Sequence, residues 1–273
     1  MEDFGLDKIR RESIKKIFSC IPADGNISRL EISEKTGLSL MTVGKITDYF
    51  LEKGVVKYAK SEDGGVGRKA KHISLSDEKN MIVLVPSKEK LGVVIVSFTL
   101  EKTGELELVP DKNDAVGSIM GELMPFIFEH GLVGGLVGVC AIYDKIDDID
   151  YYQKLADDLV IALSLKVSEV CKSELAKISA VKKEQSTLYI SKSEDGASVS
   201  FYGTEPMLGR ISAKDKETLE TKLSAITEFL SAQEIYSELE LEKEFASYVS
   251  KEKAYELEYI GAAMLLREKY LFA

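Results

Sequence analysis

The stretch SRLEISEKTGLSLMTVGKITDYFLEKG, residues 28–54, leaves its part of the chain few alternatives. Ser28 can cap a helix through its hydroxyl while Glu31, three residues on, reaches back to the Ser28 amide, a capping box that fixes where the helix begins. Gly37 can take the left-handed conformation that ends it, and Ser39 can cap another helix at once. With only Thr36-Gly37-Leu38-Ser39 between them, the two helices have to turn sharply on one another.

In the second of these helices Val43, Ile46 and Phe50 share a stripe with Leu51 beside it, which leaves Thr42, Gly44 and Lys45 outward. Leu30 and Ile32 are expected to open the buried side of the first. Upstream, Ile14, Ile17, Phe18 and Ile21 recur at helical spacing until Pro22 and Gly25 stop them. Downstream, Gly54 ends the helical pattern. VVKYAK (55–60) and RKAKHISL (68–75) then read as strands around the turn SEDGGVG (61–67). This hairpin carries Lys57, Lys60, Arg68, Lys69 and Lys71. Three helices followed by a basic hairpin make a winged helix-turn-helix. A small or cationic outer face suits a helix entering the major groove, where acidic side chains would be repelled by phosphate. The competing reading is a small helical subdomain used for protein contacts.

Net charge bears on this choice only when it is counted by segment. The chain of 273 residues carries −10 overall, but residues 1–76 hold 14 Lys and Arg against 11 Asp and Glu, and the remainder 22 against 35. The acidity therefore belongs to the second part, and a DNA-reading first part is permitted. With 45% hydrophobic residues the chain can bury cores for about two domains. No apolar run approaches a membrane span and no signal segment opens the chain, so a cytoplasmic protein is expected. Cys20, Cys140 and Cys171 lack metal-ligand spacing and are expected to be free thiols.

The first quarter resembles the N-terminal domain of the ROK family (repressors, open reading frames and sugar kinases). Ser28, Arg29, Thr36, Gly37, Leu38, Ser39, Thr42, Val43, Glu52, Lys53, Gly54, Gly67 and Arg68 match that family's repressor pattern in order. The resemblance implies that Thr42 and Lys45 address the major groove and that Gly67-Arg68 carries an arginine into the adjacent minor groove. The candidate DNA contacts are then Ser28, Arg29, Ser39, Thr42, Lys45, Lys60, Arg68, Lys69 and Lys71.

Beyond residue 77, strands are expected at 81–85, 92–100 and, after a turn, within 101–108, with a helix over 114–129 and a buried strand in GGLVGVCAIYD (134–144). Residues 150–184 read as one long helical region. Strands follow at 186–190 and 197–203, then three helical stretches, with the charged run 241–258 read as a solvated helical face. The alternation argues for an α/β domain. Its order resembles the two-lobed, actin-like (ribonuclease H-like) ROK sugar-kinase fold in shortened form, and YIGAAMLLREKYLF (259–272) resembles that family's closing Gly-Ala-Ala helix. The division expected is 1–77 for the winged helix-turn-helix and 78–273 for an α/β dimerisation and effector domain.

This part departs from the family where kinase chemistry would lie. The Asp-x-Gly-x-Thr phosphate loop is replaced by Val85-Pro86-Ser87-Lys88-Glu89, and the second phosphate loop by Ser191-Lys192-Ser193-Glu194-Asp195-Gly196, whose acidic residues would repel polyphosphate. The catalytic-base motif aligns with Glu169-Val170-Cys171-Lys172-Ser173, which puts a thiol where the carboxylate should be. The family's zinc motif is missing. The expectation is a non-enzymatic DNA-binding regulator, a repressor, working as a homodimer on double-stranded DNA, with no cofactor and no membrane partner. An unidentified small-molecule effector would meet Cys140, Tyr143, Asp144 and Cys171. The alternative is a divergent ROK sugar kinase with a fused DNA-binding head.

Overall fold

The computed structural model describes residues 3–23, 25–59, 71–87, 90–181, 186–193, 196–203, 207–241 and 246–273. The first segment forms α1 (Asp3–Cys20), β1 (Ile27–Ser28), α2 (Arg29–Thr36), α3 (Leu40–Glu52), β2 (Val56–Tyr58) and β3 (His72–Leu75). The capping box at Ser28 is present: the Glu31 amide donates to Ser28 Oγ at 3.2 Å, and the Ser28 amide donates to Glu31 Oε2 at 2.8 Å. Gly37 has φ of +69°, the left-handed region that favours glycine. The Thr42 amide donates to Ser39 Oγ at 3.1 Å and so starts α3.

The inward sides of these helices meet as expected at Ile14, Ile17, Ile21, Ile32, Val43 and Phe50. Thr47 joins them, fully buried, its hydroxyl donating to the Gly44 carbonyl at 3.0 Å so that no polar atom is left bare. Leu30 does not belong to the buried side; it is 58% exposed. In so short a helix only the Ile32 face meets α1 and α3, and Leu30 projects away from it. The wing sheet gains a strand that composition does not announce. β1 pairs with β3 through Ile27↔Ile73 and Ser28↔His72, and β2 pairs with β3 on its other side.

The rest of the chain builds two five-stranded sheets with the same plan. The first comprises β4 (Asn80–Pro86), β5 (Leu91–Ser97), β6 (Lys102–Leu108), β7 (Leu136–Tyr143) and β8 (Val167–Lys172), in the order β6-β5-β4-β7-β8. The second comprises β9 (Thr187–Ser193), β10 (Gly196–Tyr202), β11 (Met207–Ser212), β12 (Glu234–Ser237) and β13 (Ser247–Tyr248), in the order β11-β10-β9-β12-β13. Each opens with an antiparallel meander and then adds two parallel strands on the other side of its first strand. This repeated order defines a two-lobed, actin-like domain.

Helices α4 (Ala115–Glu129) and α5 (Ile149–Ala162) cover one face of the first sheet, where Ile82, Leu84, Val93 and Val139 point. The opposite face, with Met81, Val83, Val94 and Cys140, packs on α8 (Lys251–Phe272) and on α6 (Ser173–Val181). Helix α7 (Lys216–Leu230) covers one face of the second sheet; α6 and α8 take the other. Helix α8 thus touches both lobes. At its middle Gly261 lets its backbone lie against the Ala176 carbonyl of α6, where a Cβ would have no room.

Two expectations fail in this part. The described residues of the expected helical region 150–184 form two helices with β8 between them, because Val167–Lys172 finds β7 as a parallel partner. Among the described residues after 203 there are two helices and the short strands β11, β12 and β13 where three helical stretches were expected; within the described part of the charged run, helix begins at Lys251. Among the described residues, no helix is long and apolar enough to cross a membrane.

Candidate nucleic-acid interface

The outer side of α3 begins at its capped end. Ser39, Leu40, Met41 and Lys45 are exposed and Thr42 is half-buried, its hydroxyl 2.9 Å from that of Ser39. Arg10 and Ser13 of α1 join Met41, Thr42, Lys45 and Tyr49 around a cleft of about 400 Å³. Arg10 escapes the sequence argument because a single cation on a surface helix carries no signal until the fold sets it beside Lys45. Gly44 keeps the middle of α3 low, and the guanidinium of Arg29 lies over it.

The other candidate contacts are placed differently. Ser28 is buried, and its hydroxyl and amide are both spent on the capping box, so it shapes α2 and presents nothing to a ligand. Arg29 is ion-paired with Asp48 of α3 and ties the two helices together. Lys71 is exposed, its Nζ 4.9 Å from the centre of the Tyr58 ring. Lys57, which belongs to the same hairpin, pairs with Asp77. Lys60, Arg68 and Lys69 lie outside the described residues.

The inner end of α3 meets the last turn of α8. Tyr49 Oη donates to the Leu271 carbonyl at 2.7 Å and Lys53 Nζ to the Tyr270 carbonyl at 2.8 Å. These carbonyls belong to a helix C-terminus, which has no intrahelical donors for its last turn, so side chains of α3 act as its cap. Lys53 also lies over the rings of Tyr49 and Tyr270, at 5.1 Å and 4.8 Å. A single apolar cluster runs from Ile17 and Phe50 through Phe98 to Leu266 and Tyr270, so the head and the first lobe share a core.

The four residues expected to meet an effector do not form one pocket. Cys140 and Cys171 sit on adjacent strands inside the core, 0% and 3% exposed, with their sulfurs 3.7 Å apart. The contact with Cys171 and burial both push the Cys140 thiol up, so it is an inert neutral group. Both are core residues because the inward face of the sheet is sealed by α8. Tyr143 is also buried, which raises its hydroxyl. Only Asp144 reaches a polar region. Partial burial raises its carboxyl, with Lys177 opposing and Glu174 and Asp148 adding to the rise. Lys177 pairs with Glu238 at 2.9 Å, and Tyr189 Oη donates to the same Glu238 oxygen at 3.0 Å. Glu258 of α8, raised by burial and opposed chiefly by Lys177, closes this cluster.

The architecture is therefore a winged helix-turn-helix whose reading helix is braced by the last helix of an actin-like domain. Residues 10–57 match the family model "Winged helix-turn-helix DNA-binding". The fold as a whole is similar to the crystal structure of a ROK family transcriptional regulator described as a homolog of the E. coli MLC protein. The two share 11% identity and a TM-score of 0.68 over 97% of this chain and 98% of that one. A ROK hexokinase from Thermus thermophilus aligns at 10% identity and a TM-score of 0.43, over 69% of this chain and 89% of that one. No curated protein matches the sequence.

Proposed function

We propose that the chain is a sequence-specific DNA-binding transcriptional regulator, a repressor that acts as a homodimer, with a non-catalytic two-lobed domain for dimerisation and small-molecule sensing. The observation that carries this reading is the capped α3, whose outer face bears Ser39, Thr42 and Lys45 beside exposed Leu40 and Met41 while its inner end is anchored on α8. Lys45, Thr42, Ser39 and the wing cations Lys60, Arg68, Lys69 and Lys71 are the proposed DNA contacts, with Arg10 added beside Lys45. A dimer follows because one winged helix makes few contacts, and linking two heads raises affinity through effective concentration. Against catalysis stands the thiol of Cys171, buried in the core where the kinase resemblance puts the base.

Recovery of the fragments bound by the full chain from its own genomic DNA, followed by salt titration on one of them, tests the reading. Specific binding that weakens steeply with salt is expected, because phosphate contacts release counterions. Lys45→Ala should weaken binding to the recovered fragment by about 1 kcal/mol or more if it contacts a base edge. Binding that ignores both salt and sequence would overturn the assignment. So would ATP-dependent phosphorylation of any member of a sugar panel.

A further inference from the structure

A second cleft opens where the head meets the first lobe and α8. It holds about 340 Å³ between α1, the β5–β6 turn and the last turns of α8. Its walls are mostly apolar, with Phe18, Ile21, Leu75, Leu100, Met264 and Leu271 among them, and a volume of this order is ordinary for a small-ligand site. The charged side chains that line it are Lys15, Arg267 and Glu268. Lys15 and Glu268 pair with each other, which leaves one positive charge over.

That charge belongs to Arg267. Its Nη1 donates to the Phe98 carbonyl at 2.6 Å and its guanidinium lies 5.1 Å from the centre of the Phe18 ring. No described carboxylate pairs with it. Burial brings it down to about 10, and no charge among the described residues offsets that fall. A guanidinium offers five donors in a planar fork matched to carboxylate, and one carbonyl with one aromatic face satisfies only part of it. Retaining such a group in an apolar wall is costly unless a counter-ion arrives.

We propose that this cleft binds an amphipathic monocarboxylate, its carboxylate on Arg267 and its apolar chain or ring against Phe18, Leu100 and Met264. The net lining charge of one selects a single negative charge over a dianion, whose second charge would face Glu268 uncompensated. The apolar walls select against a sugar, whose hydroxyls would lose their water there without partners. The inference goes beyond the DNA-binding reading and stands without it, since binding is measured in the absence of DNA.

Isothermal titration of the full chain with octanoate, and separately with 1-octanol, tests it. Saturable one-site binding of octanoate is expected, with octanol at least about tenfold weaker. Arg267→Met should weaken octanoate by at least about tenfold. Because that variant touches a largely buried group, Ser19→Trp supplies a second arm: exposed Ser19 lines the same cleft, and an indole there should obstruct it while Arg267 and the core stay intact. Loss of octanoate binding in Ser19→Trp, with an unchanged thermal unfolding midpoint, supports the site. Absence of saturable octanoate binding, equal affinity for octanol, or undiminished affinity in Ser19→Trp would overturn it.

Discussion

The two lobes repeat one strand order yet differ in how much of it they complete. In the first, β4, β7 and β8 run 7, 8 and 6 residues; in the second, the corresponding β9, β12 and β13 run 7, 4 and 2. Helix α5 spans the connection from β7 to β8, whereas no described helix joins β12 to β13. Parallel strands hold only where both faces are covered, since their backbone pairing is the weaker kind and depends on buried side chains. The shortened strands stand where, among the described residues, no counterpart of α5 is found. The first lobe also shares its core with the head, while the second meets the rest mainly through α6 and α8.

The largest effect should come from the contact on which both lobes depend. Gly261→Val drives a side chain into the Ala176 carbonyl and should cost about 3 kcal/mol or more, seen as loss of soluble protein or a collapse of the thermal midpoint. A midpoint near that of the unmodified chain would show that α8 does not join the lobes in this way. Next, Leu84→Ala empties a fully buried position in the first sheet and should cost about 2–5 kcal/mol, whereas Leu208→Ala on the exposed edge of the second should stay within about 0.5 kcal/mol in chemical denaturation. Equal costs would dissolve the contrast between the lobes.

Hydrogen exchange gives a finer measure of the same contrast. Amides of β12 should exchange faster than those of β7, because local opening there exposes less apolar surface. Slower exchange in β12 would reverse the ranking of the lobes. The smallest effect belongs to the head and calibrates it against the lobe with which it shares a core. The Ser28 hydroxyl and amide hold the Glu31 carboxyl below its ordinary 4.5. A carboxyl whose folded value is lowered contributes stability above its unfolded value and loses it as pH falls through the folded one. Glu31→Gln should therefore lower the midpoint slightly at neutral pH and converge with the parent below pH 4.5; parallel pH profiles would remove the carboxylate from the cap.

The head was legible because its signals are local. Ser28 with Glu31, Gly37 and Ser39 each act within four residues, and each forms the cap or turn that its chemistry allows. Leu30 misled for a matching reason: in eight residues of helix the apolar spacing is too short to say which side meets a neighbour. In the body, β4, β5 and β7 could be read from their apolar runs, but Val167–Lys172 could not, because VSEVCK has neither a clean alternation nor an apolar run. It becomes a strand by pairing with β7, and that pairing also takes Cys140 and Cys171 out of reach of any ligand.

By itself, then, the sequence determined where α2 and α3 begin, that Gly37 turns between them, and that an α/β domain follows, since caps, turns and apolar spacing act over a few residues. Only the tertiary structure decided that Tyr49 and Lys53, at the end of α3, cap the C-terminus of α8, that Arg10 stands beside Lys45, and that Arg267 lines a cleft without a described carboxylate partner. These depend on groups far apart in the chain, Tyr49 and Leu271 by 222 residues, where no local preference operates and only packing brings them together.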